Sequence, residues 1–348
     1  MGILGAMEAQ LQVVDPARSR DRSPVIAVRG LVKTYGRVEA VRGIDLDVMP
    51  GESFGFLGPN GAGKTTTIQI LCTLLRATAG SASVAGFDVE THPDDVRACI
   101  GLVFQDPSLD QELTARENLD FHAIVYNVPR ALRARRIDAV LEMVGLQDRA
   151  NAAVKTFSGG MKRRLEIARG IMHAPQVLFL DEPTQGLDPQ TRAHIWQYLR
   201  ELRRSEDITI FMTTHYMDEA EYCERIAIID HGSIVAEGTP DLLKGMVGGD
   251  VVTAGTADDA AAVAELSERL QVEAKRTEQG LLIEVPDGAA FVPRMIQALS
   301  VRVNTVTIRR PSLDDVFLKL TGRAIRDDEA GAMDNLRAMA QMWRGGRR

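Results

Sequence analysis

Along this chain short apolar runs alternate with longer amphipathic stretches, a pattern that predicts strands separated by helices. Residues 25–28 read Val-Ile-Ala-Val, and Ile44-Asp45-Leu46-Asp47-Val48 alternates with a period of two. Met49-Pro50-Gly51-Glu52 then makes a turn before the apolar Phe54-Gly55-Phe56-Leu57. Core-strand runs recur as Ile100-Gly101-Leu102-Val103-Phe104, as Val177-Leu178-Phe179-Leu180 and at residues 208–213. Strands set apart by helical stretches predict an α/β fold, a parallel sheet with helices on its faces. Between residues 106 and 175 the pattern is helical. Thr114-Ala115-Arg116-Glu117 is a capping box that opens one helix, and residues 131–144 fit another.

The pattern shifts again at Gly245-Met246-Val247-Gly248-Gly249, which reads as a linker. Beyond it, residues 251–254, 280–285 and 303–308 read as strands, with helices at 258–270 and 289–299. This predicts a small α+β domain of ferredoxin-like type. The expected organisation is a tail over 1–24, a first domain over 25–244 with a helical subdomain at about 106–175, a second domain over 250–322 and a basic tail over 323–348. In that last tail Met333, Leu336, Met339 and Trp343 are spaced for one helical face, and the arginines suit anionic lipid.

The 348 residues leave room for two domains, and a hydrophobic fraction of 45 % is ordinary for a folded protein. No apolar run approaches the roughly 18 residues a membrane-spanning helix needs. The first residues lack a basic-then-apolar signal layout, so the expected location is the cytosol. Cys72, Cys99 and Cys223 match neither a disulfide framework nor a zinc spacing, and the six histidines show no ligand spacing. A net charge of -7 argues against a nucleic-acid partner.

Chemistry enters at Gly58-Pro59-Asn60-Gly61-Ala62-Gly63-Lys64-Thr65, a full G-x-x-x-x-G-K-[ST] match between a strand and a helical run. The glycines let backbone N–H groups close around a triphosphate, and the helix N-terminus adds partial positive charge. Lys64 would reach the β- and γ-phosphates and the Thr65 hydroxyl would hold Mg²⁺. The strand at 177–180 ends in Asp181 and Glu182. An Asp there can anchor Mg²⁺, and the next carboxylate can polarise the attacking water. A second anion site is expected where Ser158 is placed as a helix N-cap before Gly159 and Gly160.

Phe157-Ser158-Gly159-Gly160-Met161 and the run that follows it resemble the signature of the ATP-binding cassette ATPases, with Phe157 where Leu is common. The resemblance implies a P-loop cassette domain, ATP and Mg²⁺ as ligands, and a head-to-tail dimer in which each signature closes over the other subunit's ATP. It also implies roles: Tyr35 stacking on adenine, Thr66 joining the phosphate loop, and Gln105 touching Mg²⁺ and the attacking water. Asp188 would cross the dimer interface, Glu182 would be the catalytic carboxylate, and His215 would contact the γ-phosphate. Thr184-Gln185-Gly186-Leu187-Asp188 and the segment from Pro311 to Gly322 resemble the daunorubicin/doxorubicin-resistance exporter ATPases. That group works with a separate ABC-2-type permease, which implies attachment to the cytoplasmic face of the membrane mainly through that partner, beside residues 105–119. A soluble cassette protein of translation or repair, and an importer ATPase with a ligand-sensing C-terminal domain, are the alternatives.

Overall fold

The computed structural model describes residues 23–105, 108–277 and 280–322. They divide into two compact units with the boundary after Glu237.

In the first unit, β1 (Ile26–Tyr35) and β2 (Val38–Val48) pair antiparallel. β3 (Ser53–Leu57) then runs through the glycine-rich loop into α1 (Lys64–Leu71). β4 (Ala79–Val84) and β5 (Phe87–Asp88) complete an antiparallel sheet ordered β2-β1-β4-β5. α2 (Pro93–Cys99) and β6 (Ile100–Val103) follow, and then the helical insert of α3 (Ala115–Val125), α4 (Arg130–Met143) and α5 (Gly159–Gly170). The chain returns through β7 (Val177–Asp181), α6 (Pro189–Glu206), β8 (Thr209–Thr214), α7 (Met217–Ala220), β9 (Arg225–Asp230) and β10 (Ser233–Gly238).

The second sheet has the order β10-β9-β3-β8-β7-β6, and β9, β3, β8, β7 and β6 run parallel. β3, β7 and β8 are buried along their whole lengths, as parallel strands covered on both faces must be. That burial explains why their sequences are continuous apolar runs. Phe54, Phe211 and Phe179 bridge the three strands, with centroids 5.5 Å apart in each adjacent pair. Strand register then sets the site, because Leu57 pairs with Thr214 and Asp181 with Thr213. Three strand ends, each carrying different chemistry, are held side by side.

The capping box is present: Thr114 accepts from the Glu117 amide, and Glu117 accepts from the Thr114 amide. Three features differ from the pattern. β1 extends to Tyr35, and neither the sheet edge formed by β4 and β5 nor the edge strand β10 has a counterpart among the expected strands. Ala79-Gly80-Ser81-Ala82-Ser83-Val84 has little of the β-branched or aromatic character that marks a strand.

The second unit begins with α8 (Pro240–Gly245), which the pattern had grouped with the first domain. Thr239 caps it by accepting from the Leu242 amide, and Pro240 fills the first helical position. Then come β11 (Asp250–Thr256), α9 (Asp259–Leu270), β12 (Ala274–Thr277), β13 (Gly280–Val285), α10 (Gly288–Ala298), β14 (Val303–Arg309) and α11 (Leu313–Thr321). The sheet, β12-β13-β11-β14, is antiparallel throughout. Its β-α-β-β-α-β order is ferredoxin-like. β12 is the strand the sequence concealed, since Ala-Lys-Arg-Thr shows no apolar alternation. Val252, Ala254, Leu266, Ile283, Phe291 and Met295 form the core. The tail residues Met333, Leu336, Met339 and Trp343 lie outside the described residues. Among the described residues no helix is long and apolar enough to cross a membrane.

Candidate nucleotide site

The glycine-rich loop is shaped by how closely other backbone approaches it. A Cβ on Gly58 would lie 2.2 Å from the Ile229 carbonyl oxygen. Gly63 has φ +108° and its Cβ would lie 2.5 Å from the Ala40 oxygen. Only glycine meets both demands. Asn60, Gly61 and Thr65 are exposed, Thr66 is half-buried, and Pro59 and Ala62 are buried. Lys64 is 4 % exposed, and its ammonium donates to the carbonyls of Gly58 (2.8 Å) and Pro59 (3.1 Å). It also lies 3.3 Å from Glu182 Oε1. A buried ammonium aimed across its own loop is a fixed positive charge where phosphate oxygens would sit.

The ends of β7 and β8 supply the carboxylates. Thr65 Oγ1 donates to Asp181 Oδ1 at 3.3 Å, and Thr213 Oγ1 donates to the same oxygen at 2.5 Å. Burial pushes the Asp181 carboxyl up against the pull of these hydroxyls. Thr213 Oγ1 also accepts from the Glu182 amide at 3.1 Å. Glu182 Oε1 is held by Lys64 and, at 3.1 Å, by His215 Nδ1. Burial works to raise the Glu182 carboxyl, but His215 and Lys64 outweigh it and hold the group below the ordinary range. Its other oxygen, Oε2, is buried and has no hydrogen-bond partner among the described residues. An ionised carboxylate with one oxygen anchored and the other without a partner has a lone pair that can accept a proton from a water admitted beside it.

Glu182 has φ +45°, a left-handed conformation that costs a non-glycine residue on the order of 1–2 kcal/mol. Arg163, which lies in the run after the signature but is given no role of its own by that resemblance, holds it there. From α5 its guanidinium donates to the carbonyls of Pro183 (2.5 Å), Asp181 (3.3 Å) and Glu182 (3.3 Å), and to Phe104 O (2.5 Å), just before Gln105. Its charge is met by Glu166 at 2.9 Å, which also accepts from the Ser108 amide. One buried arginine therefore ties the signature helix to the carboxylate loop and to the end of β6. The available signal was an Arg and a Glu three residues apart in a helix, which resembles a solvated ion pair.

The remaining expected residues lie around this cluster. Tyr35 ends β1 with 47 % of its surface exposed and the Lys33 ammonium 5.2 Å from its ring centre. Ser158 caps α5 by accepting from the Met161 amide at 3.3 Å, leaving Gly159 and Gly160 in the first turn. Asp188 caps α6, accepting from the Gln190 and Thr191 amides, and the Thr191 hydroxyl holds its carboxyl low. Signature and α6 start are neighbours, since a Cβ on Gly160 would lie 2.4 Å from Thr191 Cγ2. The amide of Gln105 donates to Gln185, on the loop after β7, and not to the Thr65–Asp181 pair.

Among the described residues no group of three or more His, Cys, Asp or Glu would cage a metal. Thr65 and Asp181 instead offer two hard oxygens already in contact, the donor type Mg²⁺ uses when substrate phosphates and water complete its shell. The residues fit that ion.

A strand-loop-helix phosphate cradle beside paired carboxylates on a parallel sheet defines a P-loop nucleoside triphosphatase. Residues 41–185 match the family model described as ABC transporter, and residues 238–321 match the C-terminal domain of DrrA1-3-like ATP-binding proteins. The chain is 41 % identical over 315 residues to the daunorubicin resistance ATP-binding protein DrrA2 of Streptomyces coeruleorubidus, covering 88 % of this chain and 97 % of that one. It is 37 % identical to the linearmycin resistance ATP-binding protein LnrL of Bacillus subtilis, covering 87 % and 100 %. Among solved structures it is similar to a dimeric post-hydrolysis ATP-binding cassette, MJ0796, bound to ADP and phosphate. That match has TM-score 0.56 and 29 % identity, and covers 62 % of this chain and 98 % of that one. The chain belongs to the ATP-binding cassette transporter family, as an ATPase with a DrrA-like C-terminal domain.

Proposed function

We propose that this protein is the ATP-hydrolysing subunit of an exporter for drug-like or lipid-like molecules, working as a head-to-tail dimer on a separate ABC-2-type permease at the cytoplasmic membrane face. The observation that carries the hydrolytic reading is the buried cluster of Lys64, Asp181, Glu182 and His215. In it Glu182 is the base. Its ionised state is set by Lys64 and His215, and its open Oε2 accepts the proton of the attacking water. Lys64 exchanges its contact with Glu182 for phosphate oxygens, while the amides of Gly61 to Thr65 bind the rest of the triphosphate. Thr65 and Asp181 would hold Mg²⁺, which when bound would offset the charge of the β- and γ-phosphates. His215 contacts the γ-phosphate and keeps Glu182 in place.

Tyr35, open to solvent at the edge of β1, receives the adenine; stacking of this kind contributes about 1–3 kcal/mol. Ser158, Gly159, Gly160 and Asp188 face the partner's nucleotide. Gln105 acts through the bond to Gln185, relaying the state of the loop after β6. The permease docks beside that loop and α3, where Phe121, Ile124 and Val125 stand exposed. The names of the relatives, resistance to daunorubicin and to linearmycin, support the export of an antibiotic or similar compound.

Glu182→Gln tests the hydrolytic reading. The variant keeps Lys64, Thr65 and Asp181, so it binds Mg-ATP and accumulates as an ATP-bound dimer while turnover falls at least about 100-fold. Hydrolysis near the parent rate would show that Glu182 is not the base.

A further inference from the structure

Glu219 takes no part in the hydrolytic steps, yet it is the most committed carboxyl near them. It lies in α7, 2 % exposed, and both of its oxygens are in use. Oε1 accepts from the Thr184 hydroxyl, and Oε2 accepts from the Thr214 hydroxyl at 2.6 Å. Thr184 follows Glu182 by two residues, through the stiff Pro183. Thr214 immediately precedes His215. Both threonines are themselves buried. The Thr214 hydroxyl also accepts from the Tyr216 amide at 2.9 Å, and the Thr214 carbonyl accepts from the Gly58 amide at 3.2 Å. The Tyr216 ring packs at a tilt of 43° against His215 with centroids 4.0 Å apart, and the Arg192 guanidinium sits 4.6 Å from the Tyr216 ring centre.

Burying a carboxyl this deeply is unfavourable unless its bonds are made. Burial pushes Glu219 up to about 7, with the Thr214 hydroxyl, Arg192 and His215 pulling the other way. The two bonds that hold it run to the two loops carrying Glu182 and His215. We propose that Glu219 is a positioning residue for hydrolysis: by holding Thr184 and Thr214 together, it fixes the spacing between Glu182 and His215. This rests on the assignment of Glu182 as the base. Without the brace each loop keeps its strand, but the 3.1 Å contact between Glu182 and His215 loses its outer support. Nucleotide affinity changes little, because most of the phosphate contacts come from the loop between β3 and α1 and His215 adds only one.

The test is steady-state ATPase kinetics on the full chain, with titration of a fluorescent ATP analogue to count binding sites. Glu219→Ala lowers kcat about 10-fold or more, while KM for ATP and the number of analogue sites stay within about twofold. Glu219→Gln, whose amide accepts from one threonine and donates to the other, restores kcat to within about threefold of the parent. The Thr184→Val, Thr214→Val pair reproduces the loss, and adding Glu219→Ala to it costs little more. Should Glu219→Ala not fold, the threonine pair and the Gln variant decide the question in its place. The proposal is overturned if kcat survives in Glu219→Ala, if kcat falls only in step with the number of binding sites, or if Gln is no better than Ala. Glu182→Gln, measured alongside, separates the two ideas. Full activity in that variant removes the base assignment, whereas a dead Glu182→Gln beside a fully active Glu219→Ala removes only the brace.

Discussion

Arg163 offers the sharpest structural test of the site, because a single side chain meets four carbonyls and one buried carboxylate. Arg163→Ala leaves Glu166, 1 % exposed, without its cation, and leaves the carbonyls of Phe104, Asp181, Glu182 and Pro183 without that donor. Breaking one partner out of a buried ion pair costs about 3–5 kcal/mol, so the Ala variant unfolds at a markedly lower urea concentration. Arg163→Lys separates stability from function. It keeps the charge beside Glu166, but an ammonium on a flexible stem cannot serve carbonyls fanned across two loops. The left-handed backbone of Glu182 then relaxes and its carboxylate shifts. A displacement of about 1 Å at a reacting group costs on the order of 100-fold in rate. The assay is kcat and KM for ATP on Arg163→Lys, with urea unfolding of both variants. The expected result is a kcat loss of about 10- to 100-fold with KM nearly constant. A Lys variant within about twofold of the parent kcat would refute the claim that Arg163 positions Glu182.

Gly160→Ala puts a methyl 2.4 Å from Thr191 Cγ2, and Thr191 is tied to Asp188 by a 2.6 Å bond, so the start of α5 must move. In a Glu182→Gln background this weakens ATP-dependent dimerisation, read by size-exclusion chromatography with ATP, while monomer ATP affinity is unchanged; an undiminished dimer contradicts it. Burial pushes His122 and His173 down to about 4 from the ordinary 6.5, so between those values the unfolded chain binds protons that the folded chain refuses. Stability contributed by these groups therefore falls as pH falls through that window, and His173→Gln should lower proton uptake on unfolding near pH 5 by about one. Urea denaturation across pH checks this, and an unchanged slope counts against a half-buried neutral His173.

What the sequence disclosed and what it hid follow from how far each signal reaches along the chain. Gly58 to Thr65 is a local device, since the loop, its lysine and its hydroxyl are consecutive. Asp181, Glu182 and His215 were legible as polar groups at the ends of apolar strands, because a parallel sheet gathers such ends on one side. Arg163, Thr213 and Glu219 carry no such mark. Lys162-Arg163-Arg164 belongs to the run after the signature, but nothing in the run marks its middle residue as the one the fold turns inward. Thr213 is simply a β-branched residue in a strand until register sets it opposite Asp181. β12 was hidden because it sits at a sheet edge, where Lys275 and Arg276 are exposed and no apolar face is required.

The proposal that the active unit is a composite of two chains is tested most directly by mixing two inactive variants. Ser158→Arg spoils the signature that a chain presents to its partner, and Lys64→Ala spoils the phosphate loop it keeps for itself. In a mixed head-to-tail dimer one site remains whole, built from the phosphate loop of the Ser158→Arg chain and the signature of the Lys64→Ala chain. Random pairing makes about half the dimers mixed, so ATPase recovers to as much as about a quarter of the parent value when a single intact site turns over. The account predicts that recovery, with each variant inactive alone. Mixed dimers that form, bind ATP and stay inactive, or an active parent enzyme that proves to be a monomer, would contradict it.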